Sequence, residues 1–315
     1  MQVRRLVPVM LAAWLLTACT HPADLSAVEQ EKKKPLQRYD IVQSLVGNEG
    51  VLVGGLQSGA VVVSKDGGKS WNRKVLGPVS LIGLASCPDG SFVGIDFYHK
   101  AWIGDAKGDT WKSVALDKPR VPLAVTCDAL NRWHISGSGA KIARSSDQGT
   151  SWQVADLNED AQITAVQMVD ETHGIALGEF GLIAKTEDGG ASWKKTGAIP
   201  GDFYPYAVLM VDRKEGYASG LAGTILRTRD GGSTWAKIDN GSGAPLYRLF
   251  LHSGKVHGVG AGGIIARLEG DRFKSVPYPD AVPVFLGAGA SVPGQSAVAI
   301  GGPGGLVRVV GTQVN

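Results

Sequence analysis

SKDGGKSW at residues 64–71 decides the fold of this chain, because close copies of it return at even intervals. The copies read GDAKGDTW at 104–111, SSDQGTSW at 145–152, TEDGGASW at 186–193 and TRDGGSTW at 228–235. Their closing tryptophans are separated by 40, 41, 41 and 42 residues, and they are Trp71, Trp111, Trp152, Trp193 and Trp235. A period near 40 residues is typical of radial or stacked repeat folds.

Each letter of the repeated phrase has a role in a hairpin turn. The Asp carboxylate and the Ser or Thr hydroxyls bond to the turn's own backbone, and the glycines allow positive φ. The indole that closes the phrase then packs between neighbouring sheets. We therefore expect a structural lock, with its carboxylates at Asp66, Asp147, Asp188 and Asp230.

The segments between the phrases read as short strands. Residues 206–211 are apolar, residues 216–220 end in glycine, and residues 224–228 alternate before the phrase at 228–235. Four such strands per unit are what a propeller blade requires. A G-x-x-G element precedes the third strand and recurs at Gly260 and Gly301, which extends the array to seven units; Phe273 replaces the tryptophan in the sixth. This predicts an all-β, seven-bladed β-propeller with four-stranded antiparallel blades over residues 38–315.

The seventh unit ends after its third strand, near residues 306–310. An open sheet edge invites aggregation, so the last blade needs closing. We predict that an N-terminal strand near Pro35 to Tyr39 supplies its missing outer strand.

The N-terminus has the pattern of a lipoprotein signal. Arg4 and Arg5 precede an apolar run at 6–16, which is the order of a secretory signal peptide. Residues 16–19, LTAC, resemble the lipobox of bacterial lipoproteins, and this resemblance implies lipidation at Cys19 and a signal peptide at 1–19. An ordinary signal peptide is the alternative. Thr20 stands where similar lipoproteins carry Asp for inner-membrane retention, so the expected location is the periplasmic side of the envelope, at the outer membrane.

Residues 20–37 are mostly polar and charged, which predicts a tether between the anchor and the propeller. Loss of the signal removes Arg4 and Arg5, so the 32 basic residues fall to 30 against 29 acidic ones. A nearly neutral surface argues against nucleic acid as the main partner. The six histidines show no ligand spacing, so we expect no metal and no cofactor.

Cys87 and Cys127 lie 40 residues apart, at equivalent positions of adjacent units. Pairing is allowed in an oxidising compartment, provided that the Cα atoms come within about 7 Å. The alternative is that both are small buried hydrophobic residues.

The phrase S-x-D-G-G-x-[ST]-W is the Asp-box of BNR repeats. A run of seven such units with the G-x-x-G element resembles the photosystem II assembly and stability factor family. That resemblance implies a non-catalytic seven-bladed propeller that binds a newly made subunit, and here a protein partner from a membrane or envelope complex. Asp-boxes also occur in sialidases and cellulose-degrading propellers, so a glycan-binding or sialidase-like glycoside hydrolase is the alternative.

Two sets of residues are predicted to bind the partner. Cations recur eight residues before the tryptophan, or at the equivalent place, and could form an arc that pairs with carboxylates of an acidic or C-terminal segment; alternatively they pair between blades and stiffen the ring. They are Arg144, Lys185, Arg227, Arg267 and Arg308, whereas the first two units carry Val63 and Ile103. The second set is Tyr204 and Tyr206, which could anchor an interface or simply cap the blades.

Overall fold

The computed structural model describes residues 24–312 of the chain, which divides into two units between Lys34 and Pro35. In the first unit, helix α1 (Ser26–Lys32) has no buried residue and carries an ion pair of 2.7 Å between Lys32 and Glu29. The segment predicted as a tether thus contains a short exposed helix. No helix within residues 24–312 has the length and apolar character needed to cross a membrane.

The second unit consists of seven antiparallel sheets, the blades, whose strands follow one another from the inside outward. Blade 1 contains β1 (Val42–Gly47), β2 (Leu52–Leu56), β3 (Ala60–Ser64) and β4 (Asn72–Val75), and blade 2 contains β5 (Leu81–Ser86), β6 (Phe92–Asp96), β7 (Lys100–Gly104) and β8 (Trp111–Ala115). Blade 3 contains β9 (Pro122–Cys127), β10 (Trp133–Gly137), β11 (Lys141–Ser145) and β12 (Gln153–Asp156), and blade 4 contains β13 (Ile163–Met168), β14 (Gly174–Gly178), β15 (Leu182–Thr186) and β16 (Lys194–Ala198). Blade 5 contains β17 (Pro205–Met210), β18 (Gly216–Gly220), β19 (Ile225–Thr228) and β20 (Ala236–Asn240), blade 6 contains β21 (Leu246–His252), β22 (Lys255–Gly260), β23 (Ile265–Glu269) and β24 (Arg272–Ser275), and blade 7 contains β25 (Ala288–Ser291), β26 (Ala297–Gly301) and β27 (Val307–Gly311).

The inner strands form a closed ring. Each of β1, β5, β9, β13, β17, β21 and β25 contacts the next, and β25 contacts β1. The predicted all-β propeller of seven blades is therefore confirmed. Blades 5 and 6 are also joined at their rims, because β20 and β24 pair in parallel between Asp239 and Arg272.

The closure of blade 7 differs from the prediction, since its sheet has three strands in the part of the chain that the structure describes. The segment from Pro35 to Tyr39 is a turn, because the Asp40 carboxylate accepts from the Gln37 backbone N–H (2.7 Å) and so folds the segment back. The chain instead reaches blade 7 at the turn between β26 and β27. There Gly305 N–H donates to Asp40 O (2.9 Å) and Val42 N–H to Gly302 O (3.0 Å).

The hydrophobic core lies in the seams between blades. Each phrase tryptophan packs in the seam between its own blade and the preceding one, and Phe273 takes the same place in blade 6, fully buried. The Asp side chains fasten the turn as the phrase predicts: Asp66 accepts from Ser70 N–H (2.9 Å) and from its hydroxyl (2.5 Å). These hydrogen bonds lower the pKa of Asp66.

Blade 2 builds its lock from a residue that the spacing does not suggest. Asp105 accepts from Thr110 N–H (2.9 Å) and from its hydroxyl. It stands six residues before Trp111, whereas Asp66, Asp147, Asp188 and Asp230 stand five before theirs. One extra residue in the turn preserves the same bonding.

A disulfide joins Cys87 and Cys127, whose Cα atoms are 5.2 Å apart. Cys127 ends β9, and Cys87 directly follows β5, so the bond ties the inner strands of blades 2 and 3. Both residues belong to the hydrophobic seam between these blades.

The two ends of the blades carry different turns. We call the end with the turns between second and third strands, together with the links between blades, the turn face. The opposite end, with the Asp-box turns, is the Asp-box face. On the turn face, the last residue of each turn between second and third strands has positive φ, at Gly59, His99, Ala140, Gly181, Gly223, Gly263 and Gly305.

Candidate protein-binding surfaces

Four of the five predicted cations share one structural position, which we call the cation row. Arg144, Lys185, Arg227 and Arg267 each stand on a third strand, four residues after the left-handed residue that ends the preceding turn. Val63 and Ile103 occupy the same position in blades 1 and 2, as expected.

Arg308 does not belong to the cation row, contrary to its equivalence in the sequence. In blade 7 the first turn glycine is Gly302, whose N–H donates to Leu306 O (3.0 Å), and the left-handed end of the turn is Gly305. The row position therefore falls on Val309, which packs toward blade 1. Arg308 lies on the opposite side of the sheet and donates to Asp280 O. The G-x-x-G element fits both Gly301 with Gly304 and Gly302 with Gly305, so the sequence alone did not reveal this shift of one residue.

Three row arginines lie across from an aromatic ring on the second strand. The Arg227 guanidinium carbon is 5.6 Å from the centroid of the Tyr217 ring, a cation–π arrangement. The pairs are His134 with Arg144, Tyr217 with Arg227, and His257 with Arg267, whereas Ile175 faces Lys185. In blade 5 the Tyr217 ring thus holds the Arg227 guanidinium against the sheet.

The charges in blades 5 and 6 are already paired within the propeller. Arg227, 16% exposed, donates to Glu215 (2.7 Å) and to Asp271 of the next blade. Arg267 donates to Glu269, and this hydrogen bond, followed by one from Lys274, lowers the pKa of Glu269 to about 2. These two cations act as ties inside the ring.

Arg144 and Lys185 have no carboxylate partner among the described residues. Arg144 donates to Gln153 Oε1 (3.2 Å), and Lys185 donates to the Ser233 hydroxyl of the next blade (3.0 Å). Burial lowers the pKa of Lys185. The expected arc of five open cations is thus reduced to two.

The predicted tyrosines lie on the turn face and meet a third that the sequence did not single out. The Tyr206 ring centroid is 6.1 Å from that of Tyr204 and 5.3 Å from that of Tyr247, with both pairs edge to face. Burial raises the pKa of Tyr204 and Tyr206. Because the cation row lies toward the Asp-box face, the two predicted sets do not form one site.

Exposed aromatic side chains also gather on the turn face. Within residues 24–312, every large aromatic residue that is more than a third exposed stands in a turn or link of this face, namely Tyr39, Phe97, Tyr98, Phe180 and Phe285. Solvent-exposed aromatic residues that share one face mark an interaction surface more often than scattered ones do.

Phe180 is the most telling of these residues. It is 65% exposed and has a left-handed backbone, with φ of 58°. Glycine fills the same turn position in blades 3, 6 and 7, at Gly139, Gly262 and Gly304. A left-handed phenylalanine costs on the order of 1 kcal/mol relative to glycine, and its exposed ring recovers little of that by burial. A strained backbone at an exposed aromatic residue does not stabilise the fold, which indicates that the side chain serves a binding function.

The turn that carries Phe180 is hydrogen-bonded to one wall of a cleft, which lies between the link of blades 4 and 5 and the turn of blade 5. Gly181 N–H donates to Phe203 O (2.8 Å), and Leu221 N–H donates to Tyr204 O (3.0 Å), so the link at 203–204 is held between both turns. The cleft of about 480 Å³ is lined by Tyr204, Leu221 and Ala222 among others. We call Phe180, Tyr204, Leu221 and Ala222 the turn-face patch. Leu221 is 58% exposed, and sequence reasoning missed both it and Phe180.

Within the part of the chain that the structure describes, no three His, Cys, Asp or Glu side chains converge closely enough to hold a metal ion. Cys19, the predicted lipidation site, lies outside the described residues.

The family model described as "Photosynthesis system II assembly factor YCF48" matches residues 144–246, from the third strand of blade 3 to the start of blade 6. The resemblance predicted from the repeats is thereby confirmed over this region, which contains the turn-face patch. A comparison with curated protein sequences finds no match.

Solved structures of similar fold include two of this family and one WD40 propeller. "YCF48 bound to D1 peptide" is 12% identical with a TM-score of 0.68, covering 88% of this chain and 93% of that one. "YCF48 from Cyanidioschyzon merolae" is 15% identical with a TM-score of 0.68, covering 87% and 96%. The "WD40 beta propeller domain of Doa1" is 11% identical with a TM-score of 0.70, covering 88% and 94%. At these identities the likeness shows the propeller fold alone.

Proposed function

We propose that this protein is a non-catalytic propeller that binds a segment of another protein, as an assembly factor does, and that the turn-face patch is the binding surface. The observation that carries the proposal is the exposed ring of Phe180, which has a left-handed backbone and stands on a turn that is hydrogen-bonded to the wall of a cleft. The family match over the same blades supports it, and so does the existence of a YCF48 structure that holds a D1 peptide.

The patch favours an apolar or aromatic protein segment. Its side chains are a phenylalanine, a tyrosine, a leucine and an alanine, and the nearby Glu179 opposes a highly acidic ligand. A subunit of a membrane complex exposes such segments until its neighbours cover them. This is the physical basis for proposing a role in assembly or stability of an envelope complex.

Replacing Phe180 by Gly should abolish partner binding without harming the fold. The change removes an exposed ring and relieves a left-handed backbone, so the free energy of unfolding should stay within about 1 kcal/mol of the wild type. Capture of the partner from detergent-solubilised host membranes should fall roughly tenfold or more, as for an interface anchor.

Two further variants locate the surface. Leu130→Ala removes a 51% exposed apolar side chain at the Asp-box end of blade 3 and should retain capture. Arg144→Glu with Lys185→Glu tests the cation row: loss of capture in this variant, with full capture by F180G, would move the interface to the Asp-box face. Specific retention on a glycan array, abolished by F180G, would instead establish the carbohydrate-binding alternative.

We also propose that Cys19 carries a lipid that holds the propeller on the periplasmic side of the outer membrane. Wild-type protein should incorporate radiolabelled palmitate and fractionate with the outer membrane. Cys19→Ser should lose the label and leave the membrane fraction. Membrane association that survives the substitution would contradict the anchor and leave the turn-face proposal untouched.

A further inference from the structure

Arg248 is the only charged residue in the seven inner strands, β1, β5, β9, β13, β17, β21 and β25. These strands line the axis of the propeller, and they contain no Asp or Glu. The positions equivalent to Arg248 in strand register hold small uncharged residues, namely Ser44, Gly83, Ala124, Ala165, Ala207 and Ala288. A guanidinium at this position is therefore peculiar to blade 6.

The inner strand that follows Arg248 around the ring carries glycine on either side of Ala288. This register position faces the following blade, since a Cβ on Gly83 would meet Val125 of blade 3 at 3.4 Å. For Arg248 the following strand is β25, which is flanked by Gly287 and contains Gly289. A Cβ on Gly287 would meet nothing closer than 3.7 Å, whereas a Cβ on Gly289 would meet the Phe250 ring at 2.7 Å.

Arg248 has no counter-ion. Among residues 24–312 it makes no side-chain hydrogen bond and no ion pair, although it is half-buried. Burial lowers its pKa, and no carboxylate offsets that effect. The other half-buried arginines all have a hydrogen-bond partner. Arg73, Arg132, Arg227 and Arg267 each donate to a carboxylate. Arg144 and Arg308 donate to neutral oxygens. A desolvated, unpaired cation is costly, and such groups concentrate at functional sites.

Tyr247 precedes Arg248 at the end of the inner strand nearest the turn face, and its ring centroid lies 5.3 Å from that of Tyr206 in the inner strand of blade 5. The register shifts between Leu246 and Arg248, so Tyr247 is a bulge residue, and bulges redirect side chains next to binding sites. Neither the Tyr247 nor the Tyr206 hydroxyl bonds to a described residue. Guanidinium and phenol groups are all donors that suit a carboxylate.

We infer that Arg248, with Tyr206 and Tyr247, forms a binding site for a carboxylate group at the axis of the propeller. The carboxylate belongs either to the C-terminus of a protein chain or to a free carboxylic acid. This site shares no residue with the turn-face patch, although the Tyr206 ring packs on Tyr204 of that patch. Its test depends on Arg248 and therefore stands whether or not the turn-face patch binds a partner.

Calorimetric titration of the full chain with N-acetyl-dialanine, its C-terminal amide, and succinate distinguishes these sources. The free acid should bind at least tenfold more tightly than the amide if a chain terminus is the ligand. If the ligand is a free carboxylic acid, succinate should bind and the dipeptide should not. Binding of inorganic phosphate in preference to both carboxylates, or of none of the probes, overturns the inference.

Arg248→Ala makes the position the same as Ala207 and should weaken carboxylate binding at least tenfold. Its melting temperature without ligand should equal or exceed that of the wild type, because an unpaired charge is removed. Arg229→Ala, which removes a 68% exposed arginine of the Asp-box face, should bind like the wild type. Unchanged carboxylate binding in R248A, or a lower melting temperature, contradicts the site.

Discussion

Replacing Asp40 by Asn is expected to lower the free energy of unfolding by about 3–5 kcal/mol, because the change removes a buried charge and leaves the half-buried Arg73 without its charge partner. The Asp40 carboxylate is fully buried and accepts from Arg73 Nη1 (2.6 Å), the Ser58 hydroxyl (2.5 Å) and the Gln37 N–H (2.7 Å). The Arg73 side chain is only 17% exposed, so water replaces little of the lost interaction.

The effect should be large because Asp40 stands where the ring closes. Its backbone carbonyl accepts from Gly305 of blade 7, while its side chain holds Arg73 of blade 1. The same residue also folds the preceding segment into a turn. Blade 7 has three strands within residues 24–312, so the contacts of Asp40 are among those that join blades 7 and 1.

Chemical denaturation at neutral pH measures the loss, with Asp109→Asn as the matched control. Asp109 pairs with Lys65 at 2.7 Å but is 52% exposed, so its loss should cost no more than about 1 kcal/mol. Equal effects of D40N and D109N would contradict the closure role of Asp40.

The pH dependence gives a second readout. Burial acts to raise the pKa of Asp40, but hydrogen bonds from Arg73, Ser58 and the Gln37 N–H outweigh it and lower the pKa below 3.8. A carboxylate with a depressed folded pKa contributes its stability above the unfolded pKa and loses it as pH falls through the folded pKa. The difference in the free energy of unfolding between the wild type and D40N should therefore become smaller below about pH 4.

The period of the repeated phrase was enough to predict the blades, because each phrase is a local structure that makes its own hydrogen bonds. Asp66 and Ser70 lie four residues apart and need no distant partner. The tryptophan spacing then sets one blade per unit. The count of seven and the burial of Phe273 in place of tryptophan follow from the same local logic.

The sequence-based predictions were wrong at positions where tertiary contacts determine which of two local conformations forms. Gly301, Gly302, Gly304 and Gly305 permit two registers of one turn, and contacts with Gln37 and Asp40 accompany the later one. That choice moved Arg308 off the cation row. The expected strand before Tyr39 likewise gave way to a buried carboxylate, whose hydrogen bonds no periodicity reveals.

The sequence contains signals for parts of both proposed sites, but they are recognised only when the units are aligned in strand register. Phe180 fills a turn position that is glycine in blades 3, 6 and 7, and Arg248 interrupts a set of small inner-strand residues. Comparison of the units position by position signals both residues. Their exposure, strain and lack of partners are properties of the fold, which the sequence alone does not contain.

Removing the disulfide with Cys87→Ala and Cys127→Ala should lower the free energy of unfolding by about 4 kcal/mol. The bond closes a loop of 40 residues, and cross-linking a loop of that length restricts the unfolded chain by roughly this amount. The native state should change little, since the inner strands β5 and β9 also contact each other directly and both cysteines lie in an apolar seam.

Reductant provides the matched control for this double variant. Wild-type protein under reducing conditions should unfold at the denaturant midpoint of C87A/C127A, and the variant should be insensitive to reductant. Titration of denatured, unreduced protein should find neither Cys87 nor Cys127 as a free thiol. Two free thiols, or a variant as stable as the oxidised wild type, would show that the hydrophobic seam alone joins blades 2 and 3. A loss near 4 kcal/mol would instead show that these blades depend on the covalent tie as strongly as blades 1 and 7 depend on Asp40.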